Sequence, residues 1–202
     1  MQQSLFSKPI QNLLPFDGEA FLFPEFISSK DSDLFFEKLQ NNIQWKQEPI
    51  KIFGKEIMQP RLTALYGDSS IPYGYSGIKM IPFPFTSELM YIRERVQDIA
   101  QTDFTHVLLN YYRDGQDSMG WHRDNEPELG QNPTIASVSF GQSREFQMRY
   151  YSDKKQKVSC ELTSGSLLLM QGSTQHFWEH QIPKRKRIHG GRINLTFRKV
   201  FA

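Results

Sequence analysis

The sequence predicts a mainly β fold, a sandwich or jelly roll in which helices pack on one face (α+β). The first observation is a series of short segments rich in aromatic and β-branched residues. The second is that turn-forming pairs such as Asp114-Gly115, Ser164-Gly165 and Gly190-Gly191 separate many of these segments. The predicted strands cover residues 106–112, 134–140, 144–151, 157–162, 166–170, 176–182 and 192–200.

Two segments have helical periodicity instead. Residues 29–42 begin with N-cap candidates and continue with one apolar face, formed by Leu34, Phe35, Phe36 and Leu39. The N-cap candidates are Ser29, Asp31, Ser32 and Asp33. A second helix is predicted over residues 86–100, with an apolar stripe of Leu89, Ile92, Val96 and Ile99. We expect both helices to face the core.

The domain organisation follows from the same patterns. Residues 1–20 are interrupted by proline and glycine, which predicts an irregular N-terminal arm. Residues 21–202 then form a single domain, with a β core over about 104–202. The aromatic, turn-rich stretch at about 50–81 is interpreted as hairpins beside the mouth of the core, where they would act as a lid.

Composition limits the function classes. The formal net charge of +2 excludes a strongly basic polycation, so any nucleic-acid binding must depend on local patches. Cys160 is the only cysteine, which excludes an intrachain disulfide and a zinc ribbon. No apolar run of about 18 residues predicts a membrane span, and residues 1–17 do not resemble a signal peptide. We therefore expect an intracellular, cytoplasmic protein with no targeting segment.

A metal site is indicated by His122 and Asp124. Residues two apart on an extended segment point to the same side, so both side chains can bind one ion. A further histidine would complete the 2-His-1-carboxylate triad of iron(II) oxygenases, which leaves positions open for a keto acid and dioxygen. His176 and His180 are four residues apart, so alternation along a strand does not choose between them. An H-x-D pair by itself is also common on protein surfaces.

The segment 192–198 alternates polar and apolar side chains. Arg192, Asn194, Thr196 and Arg198 share one face, and Ile193, Leu195 and Phe197 share the other. Such a polar face is typical of a solvent-exposed strand. It also suits a dicarboxylate, because arginine binds carboxylates through two parallel hydrogen bonds. The pattern alone leaves both interpretations open.

The order and spacing of several motifs resemble the AlkB family, and more specifically its second and third homologues. The resemblance extends from about residue 53 to 201. The motifs are 59–68 (QPRLTALYGD), 73–77 (YGYSG), 110–112 (NYY), 121–127 (WHRDNEP), 135–141 (IASVSFG), 165–170 (GSLLLM), 178–180 (WEH) and 192–198 (RINLTFR).

This resemblance implies a double-stranded β-helix (jelly roll) with nucleotide-recognition lid hairpins. It implies Fe(II) bound by His122, Asp124 and His180, and a 2-oxoglutarate co-substrate whose far carboxylate meets Arg192 and Arg198. The neighbouring polar contacts to 2-oxoglutarate would be Asn110, Tyr112, Asn194 and Thr196. With dioxygen, such enzymes oxidise the N-alkyl group of damaged bases of the 1-methyladenine and 3-methylcytosine type. Formaldehyde is released and the base is restored.

The resemblance also implies substrate contacts. Tyr75 and His122 would sandwich a flipped base, and Tyr73 and Glu126 would contact its edge. Phe53 would be an aromatic finger that fills the gap left in a duplex. Alternatively, Phe53 is a hairpin core residue, and the two tyrosines only pack the lid.

Cations near the mouth are the candidates for phosphate contacts. They are Arg61, Lys51, Lys55 and the run Lys184, Arg185, Lys186 and Arg187. Asn125 departs from the acid that close relatives often carry, which could loosen the preference for cationic lesions. The expected partner is alkylated DNA, single- or double-stranded, bound by a monomer. The alternatives are an RNA demethylase, a hydroxylase of protein or small metabolites, and a non-catalytic nucleic-acid-binding module on a degenerate barrel.

Overall fold

The structure is a computed structural model that describes residues 10–52, 55–68, 73–75 and 78–201, with the backbone alone for residues 51, 52, 55, 73–75 and 78–80. The helices are α1 (Ser29–Asn42), α2 (Ser87–Ala100) and the single turn α3 (Thr174–Phe177). The strands are β1 (Glu19–Phe23), β2 (Pro49–Ile52), β3 (Lys55–Met58), β4 (Leu62–Gly67), β5 (Tyr73–Tyr75), β6 (Ile78–Met80), β7 (His106–Tyr112), β8 (Met119–His122), β9 (Ile135–Gly141), β10 (Arg144–Tyr150), β11 (Lys157–Leu162), β12 (Leu167–Gln171), β13 (Trp178–Ile182) and β14 (Arg192–Arg198).

Two antiparallel sheets form the core of the domain. The larger sheet has the order β1-β12-β9-β14-β7-β4, and the smaller has the order β11-β10-β13-β8. From β7 onward the chain passes back and forth between the sheets, as in a jelly roll: β7, β9, β12 and β14 lie in the larger sheet, and β8, the pair β10 and β11, and β13 lie in the smaller. Side chains from both sheets, including Leu108, Phe146, Leu168 and Trp178, pack together between them. The predicted jelly roll is confirmed.

The other face of the larger sheet is covered by α1 and α2. Leu89, Ile92 and Val96 of α2 are fully buried there, as the periodicity predicted. In α1 two details differ from the prediction. The capping oxygen belongs to Ser28, which accepts a hydrogen bond from the Asp31 N–H at 3.2 Å. Leu34 is 49% exposed and lies outside the apolar face, because the sheet contacts only one side of the helix.

Strand β14 lies inside the larger sheet, between β9 and β7. Its apolar row, Ile193, Leu195 and Phe197, packs into the core beneath the helices. Its polar row therefore faces the space between the two sheets, and every residue of the strand is buried. Solvent exposure, one of the two interpretations of this alternation, is thus excluded.

Two strands of the larger sheet, β1 and β4, were not predicted. Strand β1 forms the edge of the larger sheet by pairing with β12, although the sequence suggested an irregular arm as far as residue 20. Within the stretch at about 50–81, β4 pairs with β7 and belongs to the larger sheet. In that stretch β2 pairs with β3 and β5 pairs with β6, as hairpins.

Among the described residues, no helix is both long and apolar enough to cross a membrane.

Candidate metal and co-substrate site

Strands β8 and β13 bring three potential metal ligands together. His180 lies opposite His122 in the antiparallel pair, and Asp124 follows two residues after the end of β8. One ligand atom from each residue lies within 4.8 Å of the others. His122 Nε2 and Asp124 Oδ1 are 4.0 Å apart, and the two imidazole centroids are 4.2 Å apart. Two imidazoles and one carboxylate are the donor set typical of open iron(II) sites.

The spacing of the histidines had left His176 as an alternative. The predicted strand 176–182 in fact begins at Trp178, because residues 174–177 form the turn α3. His176 is exposed on that turn, and it is not part of the group formed by His122, Asp124 and His180. The structure therefore brings together the three residues that the family resemblance implied.

The charges of these groups suit a divalent cation. Burial, reinforced by His122, lowers the pKa of His180 to about 3, and burial also lowers the pKa of His122. Burial by itself would raise the pKa of Asp124, but Arg198 and the two histidines bring it down to about 2. At neutral pH the group therefore consists of two neutral imidazoles and one carboxylate, which are the forms that bind metal.

Neighbouring groups orient each ligand. Arg198 donates a hydrogen bond from Nη2 to Asp124 Oδ2 at 2.8 Å, and both side chains are buried. Gln175 Oε1 accepts from the backbone N–H of Asp124 at 2.9 Å. His122 Nδ1 lies 2.9 Å from the carbonyl oxygen of Gly120, which only accepts hydrogen bonds, so Nε2 keeps its lone pair for a metal.

Buried polar atoms that lack a hydrogen-bond partner indicate whether a metal ion fits this site. Asp124 Oδ1 and His180 Nδ1 are buried and have no hydrogen-bond partner among the described residues. A buried carboxylate oxygen without a partner costs about 1–3 kcal/mol or more. A cation held by Asp124 Oδ1 and the imidazoles would supply the missing interaction, so the residues present fit a metal ion.

The same three residues line a small cavity between the sheets. All six residues that the resemblance assigned to 2-oxoglutarate line it as well: Asn110, Tyr112, Arg192, Asn194, Thr196 and Arg198. Ser137, Phe146 and Met170 complete parts of the lining.

Arg192 lines this cavity and pairs with no carboxylate in the part of the chain that the structure describes. It is fully buried, and Nη2 donates to Ser139 Oγ at 2.9 Å and Asn194 Oδ1 at 2.7 Å. Its Nε and Nη1 have no hydrogen-bond partner among the described residues. Burial lowers the pKa of Arg192 only to about 10, so the guanidinium stays charged at neutral pH. An unpaired buried charge is costly, and a carboxylate of a bound dicarboxylic acid would neutralise it.

Polar side chains of β14 itself and of the neighbouring strand β9 hold Arg192 in place. Ser137 donates to Asn194 Oδ1 at 2.9 Å, and Asn194 donates to Thr196 Oγ1 at 2.8 Å. Ser137 and Ser139 belong to β9 and were not predicted as site residues. Ser137 and Ser139 are two residues apart, so the sequence places them on the same face of β9. That they belong to the site follows only from the pairing of β9 with β14.

The two arginines of β14 occupy different places. The resemblance assigned both to the far carboxylate of 2-oxoglutarate. In the structure Arg198 is bonded to Asp124, whereas Arg192 lies beside Ser139 and Asn194. Six residues of extended strand separate them, about 20 Å along the chain. Arg198 therefore serves the metal end of the cavity, and Arg192 is the cation free to meet a distant carboxylate.

Arg61 also differs from its expected role. It is 3% exposed, so it does not present a guanidinium to a phosphate on the surface. Its Nε donates to Asn110 Oδ1 at 2.8 Å and Nη1 donates to the Ser118 carbonyl at 3.3 Å. Arg61 thus reaches the cavity indirectly, by orienting Asn110.

Arg144 was not predicted as a site residue, although its guanidinium lies over the Tyr112 ring, 5.7 Å from the centroid. Its fully buried guanidinium donates to three carbonyl oxygens, those of Asp114, Asp117 and Pro183, at 2.7–3.1 Å. It thereby joins the loop before β8 to the loop after β13. The sequence offers no local signal for this role, because the three acceptors are backbone atoms from two distant loops.

The lid residues are only partly described. Phe53 lies outside the described residues, and for Tyr73 and Tyr75 the structure describes only the backbone of β5. Glu126 is half-buried, and its Oε2 has no hydrogen-bond partner among the described residues. Burial, together with Asp124, raises the pKa of Glu126.

The basic run at residues 184–187 is a loop anchored beside the cavity. Arg185 pairs with Glu145, and its backbone N–H donates to the Gly115 carbonyl at 2.7 Å. Lys184, Lys186 and Arg187 are exposed. Three of the four cations are therefore presented to solvent, and one serves to fix the loop.

Comparisons with known proteins identify the family of this chain. A family model described as 2OG-Fe(II) oxygenase superfamily matches residues 19–198. Alpha-ketoglutarate-dependent dioxygenase alkB homolog 3 of Mus musculus is 39% identical over 189 residues, 89% of this chain and 65% of that protein. DNA oxidative demethylase ALKBH2 of Mus musculus is 37% identical over 180 residues, 84% of this chain and 75% of that protein.

A solved structure, that of OsALKBH1, has the same fold. It aligns with a TM-score of 0.66 and 19% identity over 95% of this chain and 100% of that one. The chain spans only 65% of the length of the alkB homolog 3 relative. The family requires Fe(II), 2-oxoglutarate and dioxygen, as the sequence motifs implied. This chain belongs to the 2OG-Fe(II) oxygenase superfamily and, within it, to the AlkB family.

Proposed function

We propose that this chain oxidatively removes N-alkyl groups from nucleic-acid bases, with DNA as its substrate and formaldehyde as the second product. The observation that carries the proposal is one buried cavity with two ends. One end holds the converging His122, Asp124 and His180, and the other holds Arg192, which has no carboxylate partner among the described residues. A co-substrate with carboxylates at both ends can bind Arg192 and a metal ion at the same time.

In this proposal His122, Asp124 and His180 hold Fe(II), which supplies the oxidising chemistry with dioxygen and 2-oxoglutarate. Arg198 keeps Asp124 ionised by donating to Oδ2, so that Oδ1 remains available to a metal ion. Arg192 binds the far carboxylate of the co-substrate, and Asn194 and Ser139 fix the plane of its guanidinium. Burial of the cavity between the sheets keeps bulk water from these groups.

The proposed substrate bases are 1-methyladenine and 3-methylcytosine, which are cationic. Glu126 supports this choice, since it follows Asp124 by two residues and its Oε2 has no partner within the described ranges of the chain. A cationic base at that position would favour the ionised form of Glu126 and offset its burial. Tyr73, Tyr75 and the ring of His122 are proposed to hold the flipped base. The relative named DNA oxidative demethylase supports DNA as the nucleic acid.

The test is mass spectrometry of methylated oligonucleotides after incubation with the protein, Fe(II), ascorbate and 2-oxoglutarate. Single- and double-stranded DNA and RNA carrying 1-methyladenine or 3-methylcytosine are compared, and formaldehyde and succinate are measured in parallel. We expect loss of the methyl group from DNA, with one formaldehyde released for each methyl group lost.

Two outcomes would contradict the proposal. Preferential demethylation of RNA would support the proposed reaction but show that RNA, and not DNA, is the substrate. Binding of methylated oligonucleotides without consumption of 2-oxoglutarate, in protein shown to contain iron, would identify a non-catalytic binding module.

A further inference from the structure

The turn α3 contacts the segment that carries the metal carboxylate. Gln175 of this turn accepts a hydrogen bond from the Asp124 N–H at 2.9 Å. The His176 carbonyl, on the same turn, accepts from Arg123 Nη1 at 2.8 Å. The chain then enters β13, whose third residue is the ligand His180. The positions of two of the three ligands, Asp124 and His180, therefore depend on where α3 lies.

The residues that lead into β1 pack against this turn, and we call them the 12–19 segment. Thr174 of α3 is fully buried; its Oγ1 accepts the Glu19 N–H at 2.8 Å and donates to the Gln171 carbonyl at 2.6 Å. A methyl group on Gly18 would lie only 2.9 Å from Thr174 Oγ1. The segment therefore touches α3 through a hydrogen bond and through a contact that leaves no room for a side chain at position 18.

Aromatic side chains strengthen the same contact. The Trp178 indole, at the start of β13, donates to the Phe16 carbonyl at 3.1 Å. The Phe16 ring packs edge-on against Tyr150, with centroids 5.1 Å apart, and Tyr150 stacks on Phe177 of α3 with centroids 6.1 Å apart. Tyr150 Oη also donates to Asp17 Oδ2 at 2.7 Å. The segment thus contacts both α3 and the first residue of the strand that carries the third ligand.

The 12–19 segment has a fixed shape of its own. Asn12 Nδ2 donates to the Gly18 carbonyl at 2.9 Å, and Asn12 Oδ1 accepts the N–H groups of Leu14 and Ala20 at 3.1 and 2.9 Å. Leu13 N–H donates to the Ala20 carbonyl at 2.8 Å, and Leu14 is buried in the core between the sheets. One side chain therefore closes the segment into a loop, and a loop closed in this way can hold the turn that it contacts.

We propose that the 12–19 segment and Thr174 are positioning elements of the metal site. The segment holds Thr174, and the adjacent Gln175 holds the N–H of Asp124. Residues 12–18 precede the range that the family model matches, and the sequence predicted them only as part of an irregular arm. The inference gives this arm a role in metal binding, and it does not depend on which nucleic acid is the substrate.

The first measurement is calorimetric titration of the metal-free protein with Mn(II), without substrate. Thr174→Val keeps the shape of the side chain and removes the hydroxyl, so the Glu19 N–H loses its partner. Affinity for Mn(II) should fall about tenfold, at the lower end of the effect of groups that orient metal ligands. Thr174→Ser keeps the hydroxyl and should stay within about twofold of the unaltered protein. Gly18→Ala presses a methyl group against Thr174 from the other partner and should also lower the affinity.

The second measurement is hydrogen exchange of the Asp124 amide, followed by NMR in the metal-free protein. Asp124 is 1% exposed, and its N–H is the donor to Gln175 Oε1. In Thr174→Val this amide should exchange about tenfold faster, as for a local structure weakened by one hydrogen bond. In Thr174→Ser it should exchange as in the unaltered protein.

Ser166 provides a matched control. Its hydroxyl is part of a fully buried residue and donates to the Thr163 carbonyl at 2.7 Å, at the opposite end of β12 from α3. Ser166→Ala should lower Tm and leave both Mn(II) affinity and Asp124 exchange unchanged. It separates a loss of overall stability from a displaced α3. If Thr174→Val does not fold, Gly18→Ala decides by the same two measurements.

Three results would overturn the inference. Unchanged Mn(II) affinity and Asp124 exchange in Thr174→Val, with a lower Tm, would make Thr174 a packing residue only. A loss in Thr174→Ser as large as that in Thr174→Val would show that the hydroxyl is not what holds α3. An equal loss of affinity in Ser166→Ala would assign the effect to overall stability. If the unaltered protein bound no Mn(II), the metal site of the proposed function would fail, whereas Asp124 exchange would still decide this inference.

Discussion

Gln175 offers the sharpest test of how the metal carboxylate is held. The side chain is fully buried on the turn α3, and its Oε1 accepts from the Asp124 N–H at 2.9 Å. Its amide nitrogen faces Met170 Sδ at 3.6 Å. Gln175→Leu keeps most of the volume and removes the acceptor. The Asp124 N–H then stays buried without a partner, since the residue is 1% exposed.

The magnitude follows from that orphaned donor. A buried backbone N–H without a partner costs about 1–3 kcal/mol. For a domain of about 200 residues, each kcal/mol lowers Tm by about 2–4 °C, so we expect a decrease of about 2–12 °C. The segment that carries Asp124 also loses its fixed position, and groups that orient metal ligands typically contribute 10–100-fold to metal affinity. Affinity for Mn(II) should therefore fall by about that factor.

The assay is calorimetric titration with Mn(II) in the absence of substrate, together with thermal melting of the metal-free protein. Gln175→Glu keeps an acceptor oxygen at the same chain length and should retain more metal affinity than Gln175→Leu. Gln131→Leu, at an exposed position of the loop before β9, is the control and should change neither quantity. If Gln175→Leu lowers Tm but binds Mn(II) as tightly as the unaltered protein, Gln175 is only a packing residue and the reasoning is refuted.

The remaining predictions concern separate parts of the site. His180→Ala should abolish Mn(II) binding and demethylation, whereas His176→Ala should keep most of both, because only His180 lies in the ligand group. The opposite result in the same titration would show that His176 is the metal ligand. Arg192→Lys should raise the KM for 2-oxoglutarate about 10–100-fold and leave oligonucleotide binding intact, because lysine lacks the planar guanidinium that binds a carboxylate through two hydrogen bonds. An unchanged KM would show that another cation binds the far carboxylate. Phe53→Ala should slow repair of duplex 1-methyladenine and spare the matched single strand, if Phe53 is a finger; equal losses on both substrates, with a lower Tm, would identify a core residue. Burial, and then Glu161, raises the pKa of Cys160 from 9.0 to about 11. At pH 8 its thiolate fraction, and hence its rate of reaction with a thiol reagent, should therefore be about 100-fold below that of a free thiol. Reaction of the folded protein at the rate of the unfolded protein would contradict the burial of Cys160.

Local pattern was sufficient to predict many of the elements. The alternation in 192–198 predicted β14 and its two faces, because side chains on a strand point alternately to opposite sides. The periodicity of 86–100 predicted α2 and the burial of Leu89, Ile92 and Val96. Strand β1 was missed because its pairing with β12, about 150 residues away, is a long-range contact that leaves no local signal.

The sequence by itself determined the family, the ligand types and the candidate residues, since His122 and Asp124 lie two apart and the motifs occur in a characteristic order. Only the tertiary structure decided which face of β14 meets a cavity, because that depends on the second sheet packing against it. It also decided that His180 and not His176 meets His122, through the register of β13 against β8. The roles of Gln175 and Arg198 were likewise decided by folding, because each contacts Asp124 across more than 50 residues of chain and such contacts follow from packing and not from spacing.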